Sequence, residues 1–215
     1  MTETRTVVVL AKAPVPGRVK TRLCPPCSAQ DAARLAAAAL GDTLDAVRGV
    51  RDVRRVLALD GAPGDWAPHD FDVVAQAPGR LDERIAAAFA ATPGPTVLIG
   101  MDTPQMRAAD VEAAFAFLAG DFDAVVGPAS DGGYWLLGLA VPRADVVLGI
   151  PMSVVETGAA QLARLGALGW RCALLRELRD VDWFDDALAV AREAPASRFA
   201  RTVHGLRPTL AGVAR

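Results

Sequence analysis

Residues 5–11 read RTVVVLA and residues 95–100 read PTVLIG. Both are short, continuous apolar runs rich in β-branched side chains, without polar alternation, as in strands covered on both faces. Outward from the first run lies a Pro/Gly-rich loop over roughly 12–28. AQDAARLAAAALGDTLDAVR (29–48) follows with helical periodicity. The same reading predicts strands at 52–59, 72–75, 122–127, 134–140 and 170–175. It predicts helices at 80–92, 105–119, 153–168, 183–193 and 195–206, with a hairpin spanning 122–140. Strands separated by helices of 10–20 residues imply βαβ units. The expected fold is therefore α/β, a Rossmann-like three-layer sandwich around a mixed, mostly parallel sheet.

Composition narrows the class. The chain has 215 residues, and no linker, charge block or repeat divides it, so one domain over 1–215 is expected. A net charge of −2 argues against a protein that coats nucleic acid. No apolar run reaches the ~20 residues a membrane span needs. The opening Met-Thr-Glu-Thr-Arg enters a strand directly, which predicts no leader and a cytoplasmic protein. Three cysteines do not make a disulfide framework. Arginine almost replaces lysine, for Lys12 and Lys20 are the only lysines. Their closeness in sequence directs attention to that loop.

In open α/β sheets ligands bind beyond the carboxyl ends of strands, so the residues following each strand are the candidates. After the first strand, Lys12, Arg18, Lys20 and Arg22 fall within eleven residues, stiffened by Pro14 and Pro16 and loosened at Gly17. Cations on a stiff loop before a helix suit a nucleotide phosphate, although neither a P-loop nor a GxGxxG turn is present. The alternative is a solvated basic loop. After the fourth strand comes Met-Asp102-Thr-Pro. Asp102 suits a hard dication bridging phosphates, or else Asp102 or Thr103 caps the helix that Pro104 opens. Asp180 and Asp182, in RDVDW, share one side of an extended segment. They suit the same dication, or Asp182 caps the next helix. Ser130-Asp131-Gly132-Gly133-Tyr134 reads as a substrate loop whose glycines admit a ligand, or as a plain hairpin turn.

Weaker candidates are Arg80 and Arg84, four apart on one helix face and interleaved with acids, where Arg84 reads as a substrate contact or as part of an ordinary ion-paired helix start. Cys24-Pro-Pro-Cys27 has the form of a redox dithiol. His69 and His204 stand apart from other ligands.

Taken together, APVPGRVKTRL, IGMDTP, GPASDGGYWLLGL and RDVDW resemble, in order and spacing, the bacterial "domain of unknown function 2064" (DUF2064) proteins. These are glycosyltransferase-like and associated with radical-SAM and selenium-domain gene neighbourhoods. The resemblance runs from about residue 7 to 190. It implies the GT-A fold of nucleotide-diphospho-sugar transferases, beside the guanylyltransferase of deazaflavin cofactor synthesis. It further implies Gly17, Arg18, Lys20 and Arg22 as the nucleotide-phosphate loop, a metal at Asp102, Asp131 to Gly133 as the acceptor loop, and Asp180 or Asp182 as the second carboxylate. Two positions depart from the pattern. Ala13 stands where an aromatic is usual, and Met152-Ser153-Val154 where an aromatic and a Ser-Thr pair are.

The function expected is a Mg²⁺- or Mn²⁺-dependent transferase using a nucleotide-sugar or nucleoside triphosphate and a small-molecule acceptor, as a monomer or homodimer. Lys20 and Asp102 would act on the departing phosphate, and Asp131 as the base. The alternatives are a nucleotidyltransferase of the cofactor-guanylyltransferase type, a nucleotide-binding protein without catalysis, and a thiol redox protein.

Overall fold

The computed structural model describes residues 4–206. Strands β1 (Arg5–Lys12), β2 (Val53–Asp60), β3 (Asp72–Ala75), β4 (Thr96–Gly100), β5 (Ala124–Pro128), β6 (Tyr134–Leu139) and β7 (Cys172–Leu174) join in one sheet, in the order β3-β2-β1-β4-β6-β5-β7. All neighbours are parallel except β6, which runs antiparallel to β4 and β5. The mixed sheet and the hairpin are as the sequence implies. The inserted antiparallel strand separates β4 from β5, and because β1 and β4 are parallel neighbours the loops after them emerge side by side.

The helices are α1 (Ala29–Arg48), α2 (Leu81–Ala90), α3 (Ala108–Leu118), α4 (Thr157–Ala167), α5 (Phe184–Glu193) and α6 (Arg198–Gly205). Alternation along β1 divides the core. Val7 and Val9 face α1 and α3 through Leu40, Leu44, Val111 and Phe115. Val8 faces the other side, where Ile85 and Phe89 of α2 and Leu165 of α4 pack.

The layering departs from a plain three-layer sandwich. α5 and α6 do not cover the sheet. They pack on the outer face of α1, where Ala32, Leu35 and Ala39 meet Val190, Phe199 and Val203. α1 is thus buried on two faces, and its alanine run is what lets it be approached closely from both. A period of 3.6 shows that a helix has an apolar face but not which element covers it.

Three helices start later than the sequence predicts, among them α6, which begins at Arg198 rather than at 195. α3 begins at Ala108 rather than near 105, with the Asp110 carboxylate accepting from Arg107 N at 2.8 Å. α4 begins at Thr157 rather than near 153, which leaves 152–156 as a loop beside the cleft described below. Among the described residues no helix is long and apolar enough to cross a membrane.

Candidate functional site

A cleft of about 500 Å³ opens at the carboxyl ends of β1, β2 and β4, floored by Leu10 and Leu98. Two groups of charge line it. At one end Lys12 and Asp60, paired across the β1–β2 register, lie 3.8 Å apart, and Arg84 Nη1 reaches Asp60 Oδ2 at 3.0 Å. Gln76 Nε2 donates to the carbonyls of Ala11 and Ala58, which fixes its amide at the cleft wall.

The other end is acidic. β4 ends at Gly100, and Asp102 follows in a loop. The late RDVDW segment runs beside it, held by Val181 N donating to Asp102 O at 3.0 Å and by Gln105 Nε2 donating to Arg179 O at 2.8 Å. The extended run buries Val181 in the helical core and turns Asp180 and Asp182 to the opposite side, into the cleft. Lys20 comes to meet them. Its ammonium lies 2.8 Å from Asp102 Oδ1 and 3.4 Å from Asp182 Oδ1, and it donates to the Val181 carbonyl. Arg22 Nη1 holds Asp182 Oδ2 at 2.8 Å, with its guanidinium over the Trp183 ring.

Negative charge is in excess here. Four carboxylates, Asp102, Asp131, Asp180 and Asp182, line the cleft, while two cations, Lys20 and Arg22, make ion pairs among them. The Asp180 carboxyl shows the consequence: burial first, then the charges of Asp102 and Asp131, push its pKa up to about 7. For Lys20 burial works against the charged form, but Asp102, Asp182 and Asp180 outweigh it and hold the ammonium above the ordinary lysine value. Asp102 Oδ1 is buried against the Lys20 ammonium. The Thr103 hydroxyl beside it is buried without a partner. Oxygen donors, unsatisfied buried polar atoms and surplus negative charge fit a hard dication. Among the described residues no three His, Cys, Asp or Glu side chains form a ready metal cage.

The capping alternatives fail on geometry. α3 starts six residues beyond Asp102 and is capped elsewhere. At α5 the N-cap position is Trp183, whose N donates to the Asp186 carboxylate at 2.9 Å, so Asp182 is free of that duty.

The basic loop divides. Lys12 and Arg22 line the cleft and Lys20 enters its acidic end. Pro14, Gly17 and Arg18 do not line it, and Gly17 and Arg18 are exposed. Left-handed backbone at Gly17 (φ 75°) and Lys20 (φ 49°) turns the chain on either side of the exposed Arg18. In the Gly-Gly loop, Asp131, Gly133 and Tyr134 line the cleft, whereas Ser130 and Gly132 do not. Gly132, at φ 90°, is needed for packing rather than for ligand approach, since a Cβ there would sit 2.1 Å from the Val155 carbonyl oxygen. Gly132→Ala is accordingly expected to cost about 2 kcal/mol or more, from αL strain and a backbone clash, read as a lowered midpoint in urea. Tyr134 is largely a core residue. Burial raises its hydroxyl pKa, and the hydroxyl meets only Met152 Sδ at 3.8 Å. Arg84 joins the site, while Arg80 forms a two-point pair with Asp82 away from the cleft.

Asp60 and Gln76 are cleft residues that sequence reasoning passed over; Met152 to Val154, noted in the sequence only as a departure from the family pattern, also line the cleft. The strand-end rule, applied to β2 and β3, would have found the first two. The redox reading loses support, because all three cysteines are free and burial, with Cys24 nearby, pushes the Cys27 thiol up to about 11, away from a reactive thiolate. Cys27→Ser is expected to leave nucleotide binding within about twofold of the parent by titration calorimetry, as for a residue outside the site.

The family described as "Uncharacterized protein conserved in bacteria (DUF2064)" matches residues 43–154, just over half of the chain. No curated protein matches it. A candidate nucleotide-diphospho-sugar transferase from Desulfovibrio desulfuricans G20 is 26% identical, with a TM-score of 0.84 over 96% of this chain and 95% of its own. CMP:2-keto-3-deoxy-manno-octonic acid synthetase complexed with CTP is 13% identical, with a TM-score of 0.54 over 90% of this chain and 98% of its own. Glucosyl-3-phosphoglycerate synthase from Mycobacterium tuberculosis, complexed with Mn²⁺, UDP and glucosyl-3-phosphoglycerate, is 14% identical, with a TM-score of 0.55 over 94% of this chain and 80% of its own. The α/β, Rossmann-like fold shared by nucleotidyl and glycosyl transferases is the fold of this chain.

Proposed function

Because the chain belongs to the DUF2064 family, we propose that it is a transferase taking a nucleotide-sugar or nucleoside triphosphate as donor, with Mg²⁺ or Mn²⁺ and a small-molecule acceptor. One observation carries this reading: Asp102 and Asp182, brought to the strand ends from 80 residues apart in sequence, are bridged by the Lys20 ammonium in a cleft with surplus negative charge. The dication would be held by Asp102 and Asp182 with Asp180 behind them, and when bound it stabilises charge on the departing phosphate oxygen. The protein's own groups do the rest. Arg22 and Lys12 line the cleft within reach of phosphate oxygens, and Lys20 adds a third cation from its acidic end. Asp60, Gln76 and Arg84 bound the donor's nucleoside end, and Asp131 faces the acceptor end, where it is the base for a hydroxyl. The absence of an evident nucleophilic side chain among these residues assigns catalysis to positioning and electrostatics. The likeness to proteins that hold CTP, or UDP with Mn²⁺, supports the donor class.

Nucleotidyl transfer is the second reading, favoured by the fold shared with the CTP-complexed synthetase. Products separate the two: pyrophosphate marks nucleotidyl transfer and a nucleoside diphosphate marks glycosyl transfer. The first experiment is a thermal-shift screen of nucleotides and nucleotide-sugars with and without Mg²⁺ or Mn²⁺. A ligand at about 100 times its Kd adds about 2.7 kcal/mol, and the shift is expected only when metal and nucleotide are both present. Metal-independent stabilisation would leave a binding protein instead.

A further inference from the structure

The place where a dication would meet both Asp102 and Asp182 is held by a side chain of the protein itself. The Lys20 side chain is 9% exposed, and its nitrogen lies within ion-pair distance of both carboxylates while donating to the Val181 carbonyl. The backbone at Lys20 is left-handed (φ 49°), a conformation a non-glycine residue keeps only when its surroundings hold it there. Arg22, two residues on, grips the other oxygen of Asp182, so the loop is tied to the acidic segment at two points.

An ammonium and a dication compete for two carboxylates at this range, because like charges a few ångströms apart repel strongly in a partly buried site. Resting on the donor and metal reading above, we infer that Lys20 is the counter-ion of the metal-free cleft and that it exchanges with the dication. Metal enters when a phosphate is present to receive the displaced ammonium. The free energy of the Lys20 pairs then opposes free metal, and the Lys20–phosphate contact removes that opposition. Metal and donor bind with strong positive coupling, each raising the other's affinity by the same factor. On this reading a dication arriving alone finds Asp102 and Asp182 already paired with the Lys20 ammonium.

The test uses an unusual property of the chain. Lys12 and Lys20 are its only lysines, so protein labelled with ¹³Cε-lysine gives two lysine resonances, assigned with Lys12→Arg. Millimolar Mg²⁺ alone is expected to leave the Lys20 resonance in place. Mg²⁺ together with ADP, GDP, CDP or UDP, each tried in turn, is expected to move it. Separately, Mn²⁺ is titrated into nucleotide-free protein by electron paramagnetic resonance. Lys20→Met should bind free Mn²⁺ on the order of tenfold tighter than the parent, because no ion pair has to break first. Lys20→Gln serves if the methionine variant does not fold. Equal Mn²⁺ affinities, or a Lys20 resonance that reaches its final position with Mg²⁺ alone, would overturn the exchange. If no nucleotide shifts either lysine or the melting temperature, it is the donor reading that falls, and the Mn²⁺ comparison still decides the role of Lys20.

Discussion

Asp102→Asn is expected to lower kcat by about 10²–10³-fold, the range seen when one preorganised electrostatic group is removed from an active site, and to abolish the stabilisation that nucleotide gains from Mg²⁺. The substitution preserves shape and removes the charge a hard dication requires. Its effect on folding should be small. Asp102 caps no helix, since α3 starts at Ala108 with its own acceptor. Two changes offset each other in the variant. Lys20 loses one ion pair but keeps Asp182 and the Val181 carbonyl, while the crowding of carboxylates that disfavours Asp180 ionisation is relieved. The stability change is expected within about 1 kcal/mol, as for partly exposed pairs, so the urea midpoint is the control and metal dependence the readout. A variant that folds like the parent and still responds fully to Mg²⁺ would remove Asp102 from the metal site. Collapse of the fold instead would mean that the Lys20–Asp102 pair is structural first.

How far the site could be read in the sequence follows from which physical rule fixes each residue. Asp102 and the Asp180/Asp182 pair were legible because strand ends and extended runs place side chains by parity, and parity survives folding: Val181 goes inward and its neighbours go to the cleft. The basic loop was legible only as a segment. Gly17 and Lys20 take left-handed conformations, and these turns send Arg18 outward while Lys20 and Arg22 go in; cation density in sequence carries no such direction. The Gly-Gly loop divides too: Gly132 admits the 155–158 segment, with Gly158 N donating to the Gly132 carbonyl at 2.8 Å, while Gly133 lines the cleft. Asp60 and Gln76 lie at strand ends too but stand alone among ordinary loop residues, and only their neighbours in space, Lys12 and Arg84, mark them. The fold was legible down to its hairpin, whereas the stacking of α5 and α6 on α1 was not, because it depends on which of two alanine-lined faces each helix meets.

The second large effect is one of pH. The folded state holds the Asp180 carboxyl at about 7, against 3.8 for the free side chain. A carboxyl with a raised folded pKa retains its proton in the native state after the unfolded chain has released it, so stability falls as pH rises between those two values and stays lost above the higher one. Desolvation and the facing charges of Asp102, Asp131 and Asp182 drive the shift, and Lys20 opposes it only in part. Asp180→Asn does not titrate. Its stability relative to the parent should therefore climb from near pH 4 to pH 8 by on the order of 4 kcal/mol, at 1.36 kcal/mol for each pKa unit, measured by urea denaturation in metal-free buffer. The gain is expected despite the loss of a side chain at the centre of the site, which is the usual sign of a group kept for function against stability. The same comparison with Mg²⁺ and a bound nucleotide should shrink the gain, because the dication supplies the charge whose shortage raises the Asp180 pKa. A difference that stays flat from pH 4 to pH 8 would mean that these carboxylates do not share one field, and the electrostatic ground for placing a dication among them would be gone.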